Sequence, residues 1–596
     1  MHGKCKTDSF LGIFIGTLLC LFASNLHAQT PTDTSTLIQI VSGNRMQQNQ
    51  IDSATTLLTL SGNAVVRQGR TIIHGDSIAV NQRTGIAEVF GHVHINDADS
   101  VHTYADYLRY LRDDKIAFLK KNVRLTDGKG TLTTNELEYN LKTGIAHYTN
   151  GGKVINGTTV LTSADAEYFS DTKDVYFKKY VHLTDPDYDI KADSLMYNTA
   201  FKTATFIAPT RIETRDGGVI HTRDGTYNLE TREARFFDQT SYADSIRSLS
   251  GHYIAYDENS GQLQIENNGK IVDSLNQVIV LGNMILLDKK KNSFLATRKP
   301  VMIFYKDTDS TYVSADTLFS GLRMHDTVST SDVVRQDSTG ENIIVDSTQK
   351  IKIPGFQPPG LSDSLHLTSD STKAAPVAAF SDSTEISPTP QHVQNEENQN
   401  EMSRIPPDSI RYFLAFHNVK IFNDSLQAVS DSLFYSTEDS VFRLFQSPVV
   451  WSGRSQMSGD TMYLFTKNQQ PERLFVFNNA MIIQEDKPQL FNQAIGRTLT
   501  ADFLEGKLHY ARVKGAPAET VFYVKDEDSA YVGMNRSSSD ALDVFFKNDD
   551  LLKILLIKDV DGVLYPMQQI PADKKELRGF LWQDNRRPKH FLELFE

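Results

Sequence analysis

Five stretches of this chain are versions of one another: Thr84-Gly-Ile-Ala-Glu-Val-Phe-Gly-His-Val-His-Ile95, Asp114-Lys-Ile-Ala-Phe-Leu-Lys-Lys-Asn-Val-Arg-Leu125, Thr143-Gly-Ile-Ala-His-Tyr-Thr-Asn-Gly-Gly-Lys-Val154, Lys173-Asp-Val-Tyr-Phe-Lys-Lys-Tyr-Val-His-Leu183 and Lys202-Thr-Ala-Thr-Phe-Ile-Ala-Pro-Thr-Arg-Ile212. The first apolar position of each falls at Ile86, Ile116, Ile145, Val175 and Ala204, and continues at Ala234 and Leu263. The intervals are 30, 29, 30, 29, 30 and 29. A second anchor runs in phase, with Asp76, Asp106, Asn135, Asp165, Asp193 and Asp224 each opening a short, usually apolar-aromatic stretch such as Asp106-Tyr-Leu-Arg-Tyr110. Each unit therefore holds two runs separated by turn signals such as Asn150-Gly-Gly and Asp216-Gly. Within the runs apolar and polar residues alternate, as at Val123 and Leu125 or Val181 and Leu183. Alternation bounded by Gly, Asn and Asp marks strands, and no helical period competes with it.

A strand-only repeat of this length predicts stacked β-units, each burying its apolar face against its neighbours. The expected architecture is all-β: a twisted, repeat-built array, open-sandwich or solenoid-like, of two-strand units of about 29–30 residues. About eight or nine such units fit between Ile51 and Arg323. The pattern resumes at Ser430-Asp-Ser-Leu-Phe-Tyr435, Gly459-Asp-Thr-Met-Tyr-Leu-Phe465 and Thr500-Ala-Asp-Phe-Leu504, with apolar partners at Val441, Leu474 and Leu508 and looser intervals of 33 and 34. This predicts a second, smaller β block.

The remaining boundaries come from composition. Lys4 and Lys6 precede an apolar run, Phe10 to Ala23, and Leu26-His27-Ala28 closes it, the pattern of a secretory signal over 1–28. An N-terminal arm follows at 29–50, then the repeat domain at 51–323. Residues 324–408 are rich in Ser, Thr, Asp, Gln and Pro and read as a disordered linker. The second block spans 409–545, and 546–596 is read as a cap or tail. Both cysteines, Cys5 and Cys20, lie within the signal, so the rest of the chain is without disulfide or thiolate chemistry. Removing Lys4, Lys6 and Asp8 from 61 basic and 74 acidic residues leaves a net charge of −14, which argues against a nucleic-acid partner.

The phrases Tyr104-Ala-Asp-Tyr-Leu-Arg-Tyr110, Ser163-Ala-Asp-Ala-Glu-Tyr168 and Lys191-Ala-Asp-Ser-Leu-Met-Tyr-Asn198, and their spacing, resemble the OstA-like family over Leu57 to Leu322 and more weakly over Asn418 to Lys525. That family takes in a periplasmic lipopolysaccharide-transport protein and the N-terminal domain of an outer-membrane assembly protein. The resemblance implies a V-shaped β-jellyroll that shelters acyl chains of the lipid A part and passes the lipid along. It implies a periplasmic location, with association to the outer membrane left open. Partners would be other jellyroll components at the inner and outer membranes, or further copies joined head to tail. The residues after the linker are too few for a large transmembrane barrel, so a bridging role fits better than a barrel role.

A lipid carrier needs a continuous apolar trough: at roughly 0.8 kcal/mol per methylene, one twelve-carbon chain left in water costs on the order of 10 kcal/mol. The expected lining is Ile86, Ile116, Phe118, Ile145, Val175 and Phe177 from one strand of each unit, with Val93, Val123, Val154 and Val181 from the next. The same residues could instead be a packed core. Unpaired strands would remain at the array's ends, near Leu57 to Val66 and Val301 to Tyr305, as docking edges.

No catalytic arrangement, cofactor site or metal site is expected. Ser170-Asp-Thr-Lys173 and Ser347-Thr-Gln-Lys350 match a Ser-x-x-Lys pattern only by position in a turn and in the linker. His92 and His182 sit at similar places in their units and are expected to be solvated strand histidines without a fixed carboxylate, not metal ligands. Lys120-Lys121 and Lys178-Lys179 are expected to form a solvated rim. The alternative to a lipid conduit is a structural or adhesive secreted β-repeat protein. A carbohydrate-processing enzyme would need carboxylates clustered on one groove, whereas the recurring aspartates occupy equivalent turn positions.

Overall fold

The structure is a computed structural model that describes residues 38–324 and 409–596, apart from 53–54, 69, 98–100, 127, 129, 307–308, 468–469 and 549. The signal, the first part of the arm and the linker read from the sequence lie outside the described residues. The described chain is built of antiparallel strands, and its helical content is short 3-10 turns near the C-terminus. Among the described residues no helix is long and apolar enough to cross a membrane.

One unit explains the rest. The strand Ile116–Thr126 pairs with Gly130–Asn140, matching Lys120 to Glu136 and then Val123 to Thr134. Two residues, Lys121 and Asn122, thus face one, and both take left-handed backbone with φ of 61° and 52°. A two-residue bulge of this kind bends the strand sharply and raises its twist. The bend recurs at Gly91-His92, Lys179-Tyr180, Asp238-Gln239, Asn267-Asn268, Arg298-Lys299, His417-Asn418, Gln446-Ser447 and Asn478-Asn479. Stacked bends form a corner, and each long strand contributes one half to each of two walls. The first wall holds the halves that meet at turns such as 112–115, the second those that meet at turns such as 157–158. This is the expected jellyroll, with its mouth between the two rows of turns.

Of the recurring aspartates, Asp165 and Asp224 open the strands Asp165–Phe169 and Asp224–Asn228, whereas Asp76, Asp106 and Asp193 lie within theirs. Several aspartates hold the corner on the neighbouring strand. Asp106 accepts a hydrogen bond from Asn122 Nδ2 at 2.8 Å, Asp316 from Asn418 Nδ2 at 3.0 Å, and Asp460 from Asn479 Nδ2 at 3.1 Å. Asp76 lies 2.9 Å from His92 Nδ1, and this contact raises the imidazole's pKa. The strand histidines are therefore not free of carboxylates, because Asp189 also stands 2.8 Å from His182 Nε2. His92 and His182 are not equivalent either: the first lies at a corner, whereas His182 follows the buried Val181 as His94 follows Val93.

The array does not stop at the linker. The strand Asp309–Ser314 pairs with Ser409–Asn423 through Tyr312 to Phe422, Val313 to Ile421 and Ser314 to Lys420. Val301–Lys306 is consequently interior, paired with Val278–Asp288 and with Asp309–Ser314. Thr56–Gln68 is interior too, flanked by Ile38–Ser42 and Arg45–Gln50 on one side and Thr71–Asn81 on the other. Both expected docking edges are thus covered on each side by paired strands. The edges lie instead at Ile38–Gln50 and at Asp550–Ile557 and Asp561–Pro566, which pair with the two halves of Tyr531–Lys547.

The last thirty residues form no strand and lie on the outside of the second wall, where a row of side chains receives them. Gln456 donates to the Leu581 carbonyl at 2.7 Å and accepts from the Gln583 amide at 2.7 Å. Gln493 does the same with Lys575 and Leu577, each at 2.9 Å. Gln427 accepts from Arg587 Nη2 at 2.6 Å. Leu577 packs with Met481, Ile483, Val521 and Met534, so this part of the sheet is buried on both faces.

Candidate functional site

The candidate site is the space between the walls. On the inner face of the first wall six tyrosines stand at one position of successive units: Tyr110, Tyr139, Tyr168, Tyr197, Tyr227 and Tyr256. Between them in the same cross-strand row lie small residues, Ala117, Ala146, Ala204 and Ala234, and one Val175. A methyl beside each ring leaves it room to lie along the sheet. A tyrosine offers an apolar body and a polar tip, which suits a boundary between apolar interior and wet mouth. Burial pushes the Tyr168 hydroxyl up to about 12 and raises those of Tyr110, Tyr197 and Tyr256.

The residues read from the sequence divide into two sets. Val93, Val123, Val175, Phe177 and Val181 are buried in the continuous core, and Val154 packs against it. Ile86, Ile116, Phe118 and Ile145 are only half-buried and alternate with the buried Val89, Ala117, Leu119 and Ala146. Successive strand residues point to opposite faces, so these four lie on the outside. Phe118 stands in register between Arg109 and Glu138, both exposed. The in-phase inner positions are Ala87, Ala117, Ala146, Val175, Ala204, Ala234 and Leu263. The tyrosine row was missed, although Tyr110, Tyr139 and Tyr197 each close one of the phrases opened by the second anchor.

The two walls meet through aromatic and charged side chains. Phe304 of the second wall contacts Phe413, Tyr435 and Phe442 of the first, with centroids 5.4, 5.2 and 5.9 Å away. At an equivalent level, Tyr188 meets Tyr227 edge-on at 6.2 Å. The Lys289 ammonium lies 4.6 Å from the centre of the Tyr256 ring and 6.0 Å from that of Tyr242 on the opposite wall. Burial lowers its pKa, against the pull of Asp216 and Asp244. Tyr242 donates to Asp244 at 3.0 Å and Tyr227 to Glu258 at 3.1 Å. The mouth is thus spanned by a tyrosine–lysine–carboxylate group around Lys289. Deeper in, Leu119 and Val123 are each 1% exposed, so the interior is filled by its own side chains.

Both ends of the array present apolar side chains to solvent. Ile40, Val41 and Met46 are exposed at one edge, and Leu552, Leu555, Val563 and Leu564 at the other. Unpaired strand edges of this kind are templates for strand addition.

Bent-strand units stacked about a common apolar interior define a repeat-built β-jellyroll. Residues 35–193 match the sequence model of the OstA-like protein family. No curated protein matches the chain. Among solved structures it is similar to LptH of Pseudomonas aeruginosa, described as the LptA-homologous periplasmic component of the conserved lipopolysaccharide transport device. The identity is 16%, covering 20% of this chain and 84% of that one, with a TM-score of 0.17. A likeness of that size carries no argument about this chain.

Proposed function

We propose that this protein carries lipopolysaccharide through the periplasm and is not an enzyme. The lipid A acyl chains would lie between the walls, the tyrosine row would mark the level of the polar headgroup, and the sugar part would leave by the mouth. The observation that carries this reading is the unbroken inner row of tyrosines and small apolar residues from Tyr110 to Tyr256. The OstA-like match over residues 35–193 supports it. The exposed apolar edge strands support end-to-end stacking with other bent-strand components at the inner and outer membranes, or with a second copy. A lipid chain must part the walls to enter, while the corners hold each unit together.

The test is site-specific photo-crosslinking in cells. A photo-reactive phenylalanine at Tyr110, on the inner face, should capture lipopolysaccharide, and the same residue at Phe118, on the outer face, should not. Depletion should hold lipopolysaccharide at the inner membrane. Equal capture at the two positions, or none at either with expression intact, would sink the proposal. The filled interior favours one alternative, a structural or adhesive β-repeat protein, whose loss would leave lipopolysaccharide where it normally resides.

A further inference from the structure

The outer face of the second wall carries a feature that takes no part in the interior. Cross-strand pairing joins His74 to His94, His94 to Tyr104, Tyr104 to Arg124, Arg124 to Thr133 and Thr133 to Lys153 in one row across the strands. His94 stacks on Tyr104 with centroids 4.6 Å apart and planes within 2°. The Arg124 guanidinium lies over the same ring, 4.3 Å from its centre. Neighbouring strands are about 4.8 Å apart, so Arg124 and Lys153, two strands apart, rise roughly 10 Å from each other. Only the short Thr133 stands between them. Beside them the backbone at Gly151 has a φ of 97°, and a side chain there would meet nothing within 4 Å. The outcome is an open hollow of about 630 Å³ that Tyr104, Arg124, Thr133, Gly151 and Lys153 help to line.

The electrostatics of the hollow differ from those of the rest of the row. Further along, Lys191 pairs with Asp189 at 3.2 Å and Arg211 pairs with Glu213. Among the described residues neither Arg124 nor Lys153 has such an ion pair. Two unneutralised cations flank one notch, in a chain whose net charge is −13. The Tyr104 ring, itself stacked on His94, restricts the guanidinium, so less side-chain freedom is lost when an anion binds. Arginine is suited to bidentate contact with phosphate and lysine to a point-charge contact. The Thr133 hydroxyl and bare backbone at the rim suit hydroxyl groups.

We propose that this hollow binds a phosphate monoester carried on a sugar ring. The phosphate sits between Arg124 and Lys153, and the ring's hydroxyls meet Thr133 and the backbone beside Gly151. The inference goes beyond the lipid-carrier reading and does not need it, since every group involved faces away from the interior.

The test is calorimetric titration of the full chain with glucose-6-phosphate, glucose and inorganic phosphate, repeated on an Arg124→Gln/Lys153→Gln variant. Both side chains are exposed, so the variant should melt with the wild type. The phosphate ester should bind at least about tenfold more tightly than glucose or phosphate alone, and the variant should lose at least about tenfold in affinity, one good charge-assisted contact being worth about that factor. Vesicles bearing a phosphatidylinositol monophosphate, compared with phosphatidylcholine alone, separate the sources: wild-type co-sedimentation that the variant loses assigns the site to a lipid headgroup, and binding of the soluble ester alone assigns it to a free sugar phosphate. Ester binding no tighter than that of glucose, phosphate binding equal to that of the ester, or an unchanged variant would overturn the proposal.

Discussion

Exchanging Leu119 and, separately, Phe118 for alanine tests the register on which the site depends. Leu119 is 1% exposed and sits in the continuous core, whereas its neighbour Phe118 lies half-buried on the outer face between Arg109 and Glu138. Removing a buried leucine side chain leaves a cavity and costs about 2–5 kcal/mol. Truncating a side chain on the solvent face typically costs under about 1 kcal/mol. A stacked array distributes stability over nearest-neighbour interfaces, so the loss should appear first around Leu119, in strands Val101–Leu111, Ile116–Thr126 and Gly130–Asn140. Hydrogen exchange across those strands, with chemical denaturation of the whole chain alongside, measures both. Leu119→Ala should speed exchange there by about 30-fold or more, against less than about fivefold for Phe118→Ala. If Phe118→Ala costs as much as Leu119→Ala, the inner face has been assigned wrongly and the tyrosine row with it.

Gln456, 0% exposed, holds the backbone of the C-terminal tail through two hydrogen bonds. Gln456→Ala removes both hydrogen bonds, worth about 0.5–1.5 kcal/mol each, so limited proteolysis should cleave within 570–590 while the strands stay protected. Burial pushes Tyr148 and Tyr168 up to about 12, above the usual 10. The folded chain therefore keeps phenolic protons that the unfolded chain would release, and that stability is whole below pH 10 and disappears between pH 10 and 12. Alkaline titration should show tyrosinate absorbance lagging and then rising together with loss of the β-sheet circular dichroism signal. Asp106→Ala removes the acceptor of Asn122 at the corner. It should cost about 1 kcal/mol and raise amide exchange at 120–123 above that at the corresponding corner residues 178–181.

Much of the fold was legible because stacking imposes a period on the chain. A unit that buries its apolar side only against copies of itself must repeat its length, and the steps from Ile86 to Leu263 display that length directly. The phase was harder to read. In the first three units Ile86, Ile116 and Ile145 precede the inner alanines, and an isoleucine looks more like core than an alanine does. A one-residue slip carries every side chain to the other face, so four of the ten expected lining residues lie outside. The corners were legible only where Gly or Asn marks them, as at Asn150-Gly151. Lys121-Asn122, Lys179-Tyr180 and Asp238-Gln239 carry no shared turn residue, since the bend is held by the neighbouring strand.

By itself the sequence determined the all-β class, the unit length, the two runs per unit and the recurrence of the array after residue 409. These are properties of alternation and spacing, written locally along the chain. Only the tertiary structure decided which face is inside, that Asp309–Ser314 continues into Ser409–Asn423, where the edges lie, and that Tyr188 and Lys289 reach across the mouth. The physical reason is distance along the chain: a strand's alternation marks two faces equally, and only the partner wall, the next strand or a tail more than 100 residues away, as at Gln456 and Leu581, chooses between them.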